Sequence, residues 1–281
     1  VTRNANERYR ILLLSQEVSC IIIRYQKDIG MAGVNQKAND LLANGVIESR
    51  TLKVGNRQAH YLKGGNGPPI ILLHGGADDS NTWAETIAAL SNSYTLYAPD
   101  LVGYGLSDKD KGSYYLSEFV DFTFGFIQAL GLDPMYLVGH SLGGRVCLEI
   151  ALRHPQKVRR LVLIDTVGLG KLAWWGTFLG GAAWAIRQAL RRPQPYPRFL
   201  KEKGEDKDWR CLEKMDELKM PTMLVWNRLD PYYSVRHAIN AKKLMPTARL
   251  EVFPGYGHAP HVRNRECFNN LLLDFLNHNQ A

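Results

Sequence analysis

The chain has 281 residues, 45% of them hydrophobic and 22% charged, the balance of a soluble globular protein rather than a disordered, fibrous or membrane-embedded one. That length suits one large core and leaves little room for a second domain of ordinary size. Thirty-five Lys and Arg against 27 Asp and Glu give a net charge of +8, but the cations are dispersed and no nucleic-acid-binding signature accompanies them, so nucleic acid is not the expected partner.

Residues 1–30 fit nothing that follows. They read either as an appendage preceding the true start or as a terminal helix packed on the main domain. The apolar run Ile11 to Ile23 is broken by Ser15, Gln16 and Glu17, which makes a poor signal peptide and too short a membrane span. From Met31 the pattern is helical, through Ala38, Leu41 and Leu42, and residues 1–46 together are taken as an N-terminal extension.

Strand patterning begins at Ile47. The segments Ile47 to Val54 and Gln58 to Lys63 flank Gly55-Asn56, a pair suited to a tight hairpin. Beyond the loop from Gly64 to Pro69 comes Ile70 to Leu73, a continuous apolar run of the kind buried on both faces of a parallel sheet. Comparable runs recur at Tyr94 to Ala98, Met135 to Val138, Arg160 to Ile164, Met223 to Trp226 and Arg249 to Phe253. Helical stretches separate most of them: Trp83 to Leu90, Leu116 to Leu130, Leu142 to Arg153 and Val235 to Leu244, with Leu271 to Asn277 at the end. Strands alternating with helices imply an α/β domain over residues 47–281, a mostly parallel eight-stranded sheet with helices on both faces.

One stretch interrupts the alternation. Residues 168–215 contain no strand run, and a structureless loop of that size is uncommon in a compact domain, so they predict a short helical lid. Trp174, Trp175 and Phe178 stand near its start and are expected to contact substrate, as is His140. Packing of the lid onto the core explains the same aromatics equally well. Trp and Leu residues followed by Arg187, Arg191 and Arg192 also suit an interfacial helix, so membrane-surface contact through the lid is a further reading, though not the favoured one.

The strongest chemical signal is Gly139-His140-Ser141-Leu142-Gly143-Gly144, set between a predicted buried strand and a predicted helix. In that context a G-x-S-x-G motif is a nucleophile elbow, in which glycines permit a sharp turn that presents the serine hydroxyl. The helix that follows aims its N-terminus at the reacting centre, where free N–H groups favour an oxyanion. A serine hydroxyl is a weak nucleophile and needs a base. Among eight histidines His258 fits best, in Gly255-Tyr256-Gly257-His258 directly after the last strand, with His261 as the second candidate. The acid must also follow a strand end, which leaves Asp230 and Asp165.

With these motifs the chain resembles the α/β-hydrolase fold family, its serine hydrolase branch, from about residue 51 to the C-terminus. His74-Gly75-Gly76 is similar to the family's oxyanion loop, and Asp100 to Ser107 to its Asp-x-x-Gly-x-Gly-x-Ser loop, a structural element. The resemblance implies a triad in the order Ser141, Asp230, His258, with Gly76 and Leu142 forming the oxyanion hole. It also keeps Asp165 open, because some members carry the acid one strand earlier. Serine rather than aspartate at the elbow argues against epoxide hydrolase and haloalkane dehalogenase chemistry. The expected function is cleavage of a carboxylic ester or related acyl bond in a small, largely apolar substrate. Carbon-carbon bond hydrolysis, lactone hydrolysis and a receptor with little turnover are the alternatives. No cofactor or metal is expected. Four cysteines without metal-ligand or disulfide-framework spacing suggest a reducing, cytoplasmic setting.

Overall fold

The structure is a computed structural model and describes residues 31–109, 114–174, 178 and 211–277. Among them a helix α1 (Met31–Ala43) precedes strands β1 (Glu48–Val54), β2 (Arg57–Gly64) and β3 (Pro69–Leu73). A 3-10 turn (Ser80–Trp83) leads into α2 (Ala84–Leu90), β4 (Thr95–Pro99), α3 (Leu116–Ala129), β5 (Met135–His140) and α4 (Leu142–Arg153). After β6 (Val158–Ile164) come β7 (Thr222–Leu229), α5 (Val235–Leu244), β8 (Arg249–Tyr256), a short α6 (Pro260–Arg263) and α7 (Arg265–Asn277).

The strands form one eight-stranded sheet in the order β1-β2-β4-β3-β5-β6-β7-β8. The pairs β1–β2 and β2–β4 are antiparallel, and every pair from β4–β3 to β7–β8 is parallel. The continuous apolar runs are explained by the two faces. Ile71, Leu73, Leu161 and Leu163 point into a core shared with Phe119, Val146 and Ala238, on α3, α4 and α5. Their neighbours Ile70, Leu72, Val162 and Ile164 point the other way, against Ala38, Ile87 and Leu272, on α1, α2 and α7. Side chains alternate along a strand, so a strand covered on both faces has no polar positions to offer. The helix at residues 31–43 is thus packed on the sheet's outer layer, with Ala38 fully buried.

Three expectations need adjustment. The last helix begins at Arg265 rather than Leu271, because Phe268 already faces the core while Glu266, Cys267 and Asn270 face outward. The helix expected from Trp83 is a 3-10 turn capped by Asp79, followed by a regular helix from Ala84. Strand β7 runs past Trp226 to Leu229, so Asp230 follows the strand directly. The ends of the predicted lid are drawn together, since the Cys211 N–H donates to the Gly168 carbonyl at 2.9 Å. Trp175, the arginines at 187, 191 and 192 and most of residues 168–215 lie outside the described residues, and so do residues 1–30.

Candidate active site

Parallel strands place their C-terminal ends at one edge of the sheet, where connecting loops bring distant residues together. Ser141 stands between β5 and α4 with φ 51° and ψ −112°, a conformation L-residues rarely adopt. Such backbone costs on the order of 1–3 kcal/mol and persists only where its surroundings enforce it. Here they do: the Ser141 N–H donates to the Ile164 carbonyl at 2.9 Å, and the N–H groups of Arg145 and Val167 donate to the Ser141 carbonyl at 3.1 and 3.3 Å. The flanking glycines answer to sterics. A Cβ at Gly139 would stand 2.5 Å from the Gly143 carbonyl oxygen, and one at Gly143 would stand 2.5 Å from that of Leu73.

That close approach also joins the elbow to the loop after β3. The Gly143 N–H donates to the His74 carbonyl at 3.1 Å, which sets Gly75-Gly76 beside the first turn of α4. Leu142 opens this helix, and first-turn N–H groups have no partner within it. His74 is fully buried and holds the loop: Nδ1 bonds the Gly75 carbonyl at 2.8 Å, and Nε2 accepts from the Leu101 N–H at 3.0 Å.

From the other side, His258 arrives on the loop between β8 and α6. Its Nε2 lies 2.9 Å from Ser141 Oγ and its Nδ1 2.8 Å from Asp230 Oδ2. The other oxygen of Asp230 accepts the N–H groups of Tyr232 and Tyr233 at 2.7 and 3.1 Å, a turn typical of aspartate. The ring of Tyr232 meets that of His258 edge-on, with centroids 4.9 Å apart. The tyrosines were not singled out in the sequence. The signal available was an aspartate at a strand end followed by residues whose N–H groups have no strand to bond.

The remaining candidates fall into place around this chain of hydrogen bonds. His140, expected to touch substrate, is only 3% exposed. Its Nε2–H donates to the His258 carbonyl, so it braces the loop that carries His258 instead of lining an entrance. Burial, followed by the nearby His261 and His258, depresses the His140 imidazole well below the ordinary histidine range and keeps it neutral. His261 stacks on Trp83 with ring centroids 4.4 Å apart, and burial pushes it down to about 3. It makes no contact with Ser141 that would fit a base. Trp174 and Phe178 are 83% and 72% exposed. The neighbouring Ala173 N–H donates to the Tyr232 carbonyl at 3.0 Å, which fixes the start of the insertion beside the Asp230 loop.

Asp165 directly follows β6 at the same edge. It is fully buried, accepts the Asn227 N–H at 3.0 Å through Oδ1, and has φ 42°. Burial first, and the Asp230 charge second, raise its carboxyl well above the usual carboxylate range. One ligand atom each from His140, Asp165 and His258 lies within 4.8 Å of the others, the one cluster among the described residues spaced to hold a metal ion. The two histidines already spend ring nitrogens on hydrogen bonds.

A family model described as the alpha/beta hydrolase fold matches residues 68–185, the span that carries the oxyanion loop, the elbow and β6. The chain has the α/β-hydrolase fold. In sequence it is similar to the 2-hydroxy-6-oxo-6-phenylhexa-2,4-dienoate hydrolase of Burkholderia cepacia, 25% identical over 267 residues, 79% of this chain and 92% of the relative. Its fold is similar to that of a membrane phospholipase A, a bacterial virulence factor, with TM-score 0.74 and 22% identity over 96% of this chain and 98% of that one. A carboxylesterase from Bacillus subtilis matches with TM-score 0.71 and 22% identity, over 88% of this α/β-hydrolase and 98% of the other chain. Among the described residues no helix is long and apolar enough to cross a membrane.

Proposed function

We propose that this α/β-hydrolase is a serine hydrolase that cleaves a carboxylic ester, or a related acyl bond, of a small and largely apolar substrate. The observation that carries the reading is the unbroken hydrogen-bond chain from Ser141 Oγ through His258 to Asp230, with the serine held at positive φ on a helix N-terminus. Ser141 Oγ attacks the substrate carbonyl while His258 Nε2 takes its proton. Asp230 keeps the other ring proton on Nδ1 and stabilises the imidazolium that forms. The tetrahedral oxyanion is bound by the N–H groups of Leu142 and Gly76, at about 3 kcal/mol for each donor. The imidazolium then protonates the leaving alkoxide, and water, activated by the same imidazole, releases the acyl group from Ser141.

Support for an apolar substrate comes from exposed Trp174 and Phe178 at the start of the insertion, next to the Asp230 loop. Pockets lined by such side chains favour acyl chains or rings. A fluorophosphonate probe is expected to label the folded wild-type protein on Ser141, and kcat/KM is expected to rise from p-nitrophenyl acetate to butyrate to octanoate. An unlabelled serine removes the mechanism, whereas a flat chain-length series removes only the substrate class.

A second reading is favoured by the Burkholderia relative, which by its name hydrolyses a 2-hydroxy-6-oxo dienoate. On the same three residues the leaving group would then be carbon rather than oxygen. Disappearance of that dienoate's absorbance, at a kcat/KM above that for the best p-nitrophenyl ester, would select this reading.

A further inference from the structure

The proposed mechanism uses one carboxylate, yet the site contains two. We infer that Asp165 is a standby positioning residue for His258: with an oxygen within 4.8 Å of the imidazole, it takes over the ring's orientation whenever Asp230 cannot. The inference rests on the serine hydrolase reading given above.

Strands β6 and β7 are neighbours, so the two aspartates at their ends flank the same histidine from adjacent positions. The Asp165 carboxyl is already fixed on the β7 side, because its backbone N–H donates to the Val225 carbonyl at 3.0 Å and Oδ1 accepts from Asn227. Its Oδ2, in contrast, is buried and makes no hydrogen bond among the described residues. A buried carboxyl oxygen left open is costly, and a structural aspartate would be expected to have both oxygens satisfied. The backbone here is also strained, at φ 42° on a non-glycine residue. A carboxyl oxygen without a partner beside a histidine, held at some cost in stability, is what a second partner for that histidine requires.

Electrostatics explains why only one carboxylate serves at a time. Burial and the Asp230 charge both favour the neutral Asp165 carboxyl, so with Asp230 ionised Asp165 keeps its proton. Neutralising Asp230 removes one of those two obstacles. Asp165 can then ionise beside a developing imidazolium and accept its Nδ1–H through Oδ2.

The test compares Asp230→Asn with Asp230→Asn/Asp165→Asn, using p-nitrophenyl butyrate hydrolysis and fluorophosphonate labelling of the full chain. Loss of an orienting acid with no substitute lowers kcat by about 10⁴-fold. With Asp165 in reserve, Asp230→Asn is expected to lose only about 10- to 100-fold, and the double variant to approach the full 10⁴-fold loss. Equal losses in the two variants overturn the inference while leaving Ser141 as nucleophile, since the wild type is still labelled. An unlabelled wild type overturns both. Where the double variant does not melt as a native protein, the pH profile of Asp230→Asn decides. Loss of a negative neighbour favours neutral imidazole, so without a substitute the acid limb of kcat/KM moves to lower pH. If Asp165 must ionise to take over, the limb stays in place or moves to higher pH.

Discussion

Among the described residues two Ser–His–Asp chains of nearly equal dimensions occur, and only one of them has the surroundings of a catalytic site. At the end of the sheet, Ser49 Oγ lies 2.9 Å from His60 Nε2, and His60 Nδ1 lies 2.7 Å from Asp100 Oδ2. At the centre, the corresponding distances for Ser141, His258 and Asp230 are 2.9 and 2.8 Å. Distance therefore does not distinguish them. Ser49 lies exposed within the edge strand β1, whose extended backbone offers no helix N-terminus to a developing oxyanion, whereas Ser141 is strained, nearly buried and capped by α4. The acids differ as well. Asp100 also accepts the N–H groups of Ser80 and Leu106, and its carbonyl accepts from Ser107 Oγ, so it closes its own loop and ties it to the segment after β3. Nothing there needs to move or to hold a transient charge. The lesson is that a nucleophile is made by its backbone and by what stabilises the product of attack, more than by a base within reach.

The most severe way to break this comparison is to remove each serine in turn. Ser141→Ala is expected to lower kcat by about 10⁶-fold and to abolish fluorophosphonate labelling. Ser49→Ala is expected to keep kcat/KM within about twofold, because a surface hydroxyl contributes about 1 kcal/mol to folding and nothing to an oxyanion. Mass mapping that finds the probe on Ser49 would show that geometry alone suffices, and the distinction would collapse.

A smaller effect separates the acids. Asp100→Ala leaves three donors unmatched, two of them buried, and is expected to cost about 3 kcal/mol of stability, while the folded fraction keeps its kcat/KM. Burial alone would raise the Asp100 carboxyl, but the hydrogen bond from His60, the neighbouring His74 ring and the N–H groups of Leu106 and Ser80 outweigh it and hold the group below its ordinary value. A depressed carboxyl stabilises the fold above its unfolded value, about 3.9, and this contribution fades as pH falls through the folded value. The melting-temperature gap between wild type and Asp100→Ala should therefore be widest near neutrality and shrink below about pH 4. A gap that persists at low pH would mean that packing, not the ionised carboxylate, holds those loops.

Much of this was legible in the sequence because the physics was local. The apolar runs, the hairpin at Gly55-Asn56 and the strand-to-helix context of Ser141 each depend on neighbouring residues, and the helix over Leu142–Arg153 appears with the boundaries read for it. The resemblance of three loops to a known family then supplied the order of the triad. What the sequence did not give depends on distant parts of the chain. His60 is tied to Asp100 across forty positions, and His140 braces a loop 118 positions away. The apolar run that suggested a helix from Leu271 missed its polar first turn, because burial of Phe268 is decided by contact with Trp83 and other residues far from it in the chain. Between Asp165 and Asp230 the residues alone left a choice, since both follow strand ends; their distances to His258 separate them.

The smallest expected effect returns to the central site and asks what its second acid costs. In the folded protein Asp165 favours the protonated form, because burial and then the Asp230 charge raise its carboxyl. The unfolded chain releases that proton near pH 3.9, so from there upward ionisation stabilises the unfolded state alone until pH reaches the raised folded value. Wild-type stability is thus progressively reduced across that window. Asp165→Asn keeps the shape of the neutral carboxyl and an oxygen for the Asn227 N–H, and it cannot ionise. It should melt with the wild type near pH 4 and above it by a few degrees near pH 8, since about 2–4 °C corresponds to 1 kcal/mol in a chain of this size. A difference that does not grow with pH would mean that Asp165 is already charged in the folded state. The central site would then hold two carboxylates at once, and the contrast with the fully satisfied Asp100 would have to be drawn from hydrogen bonding alone.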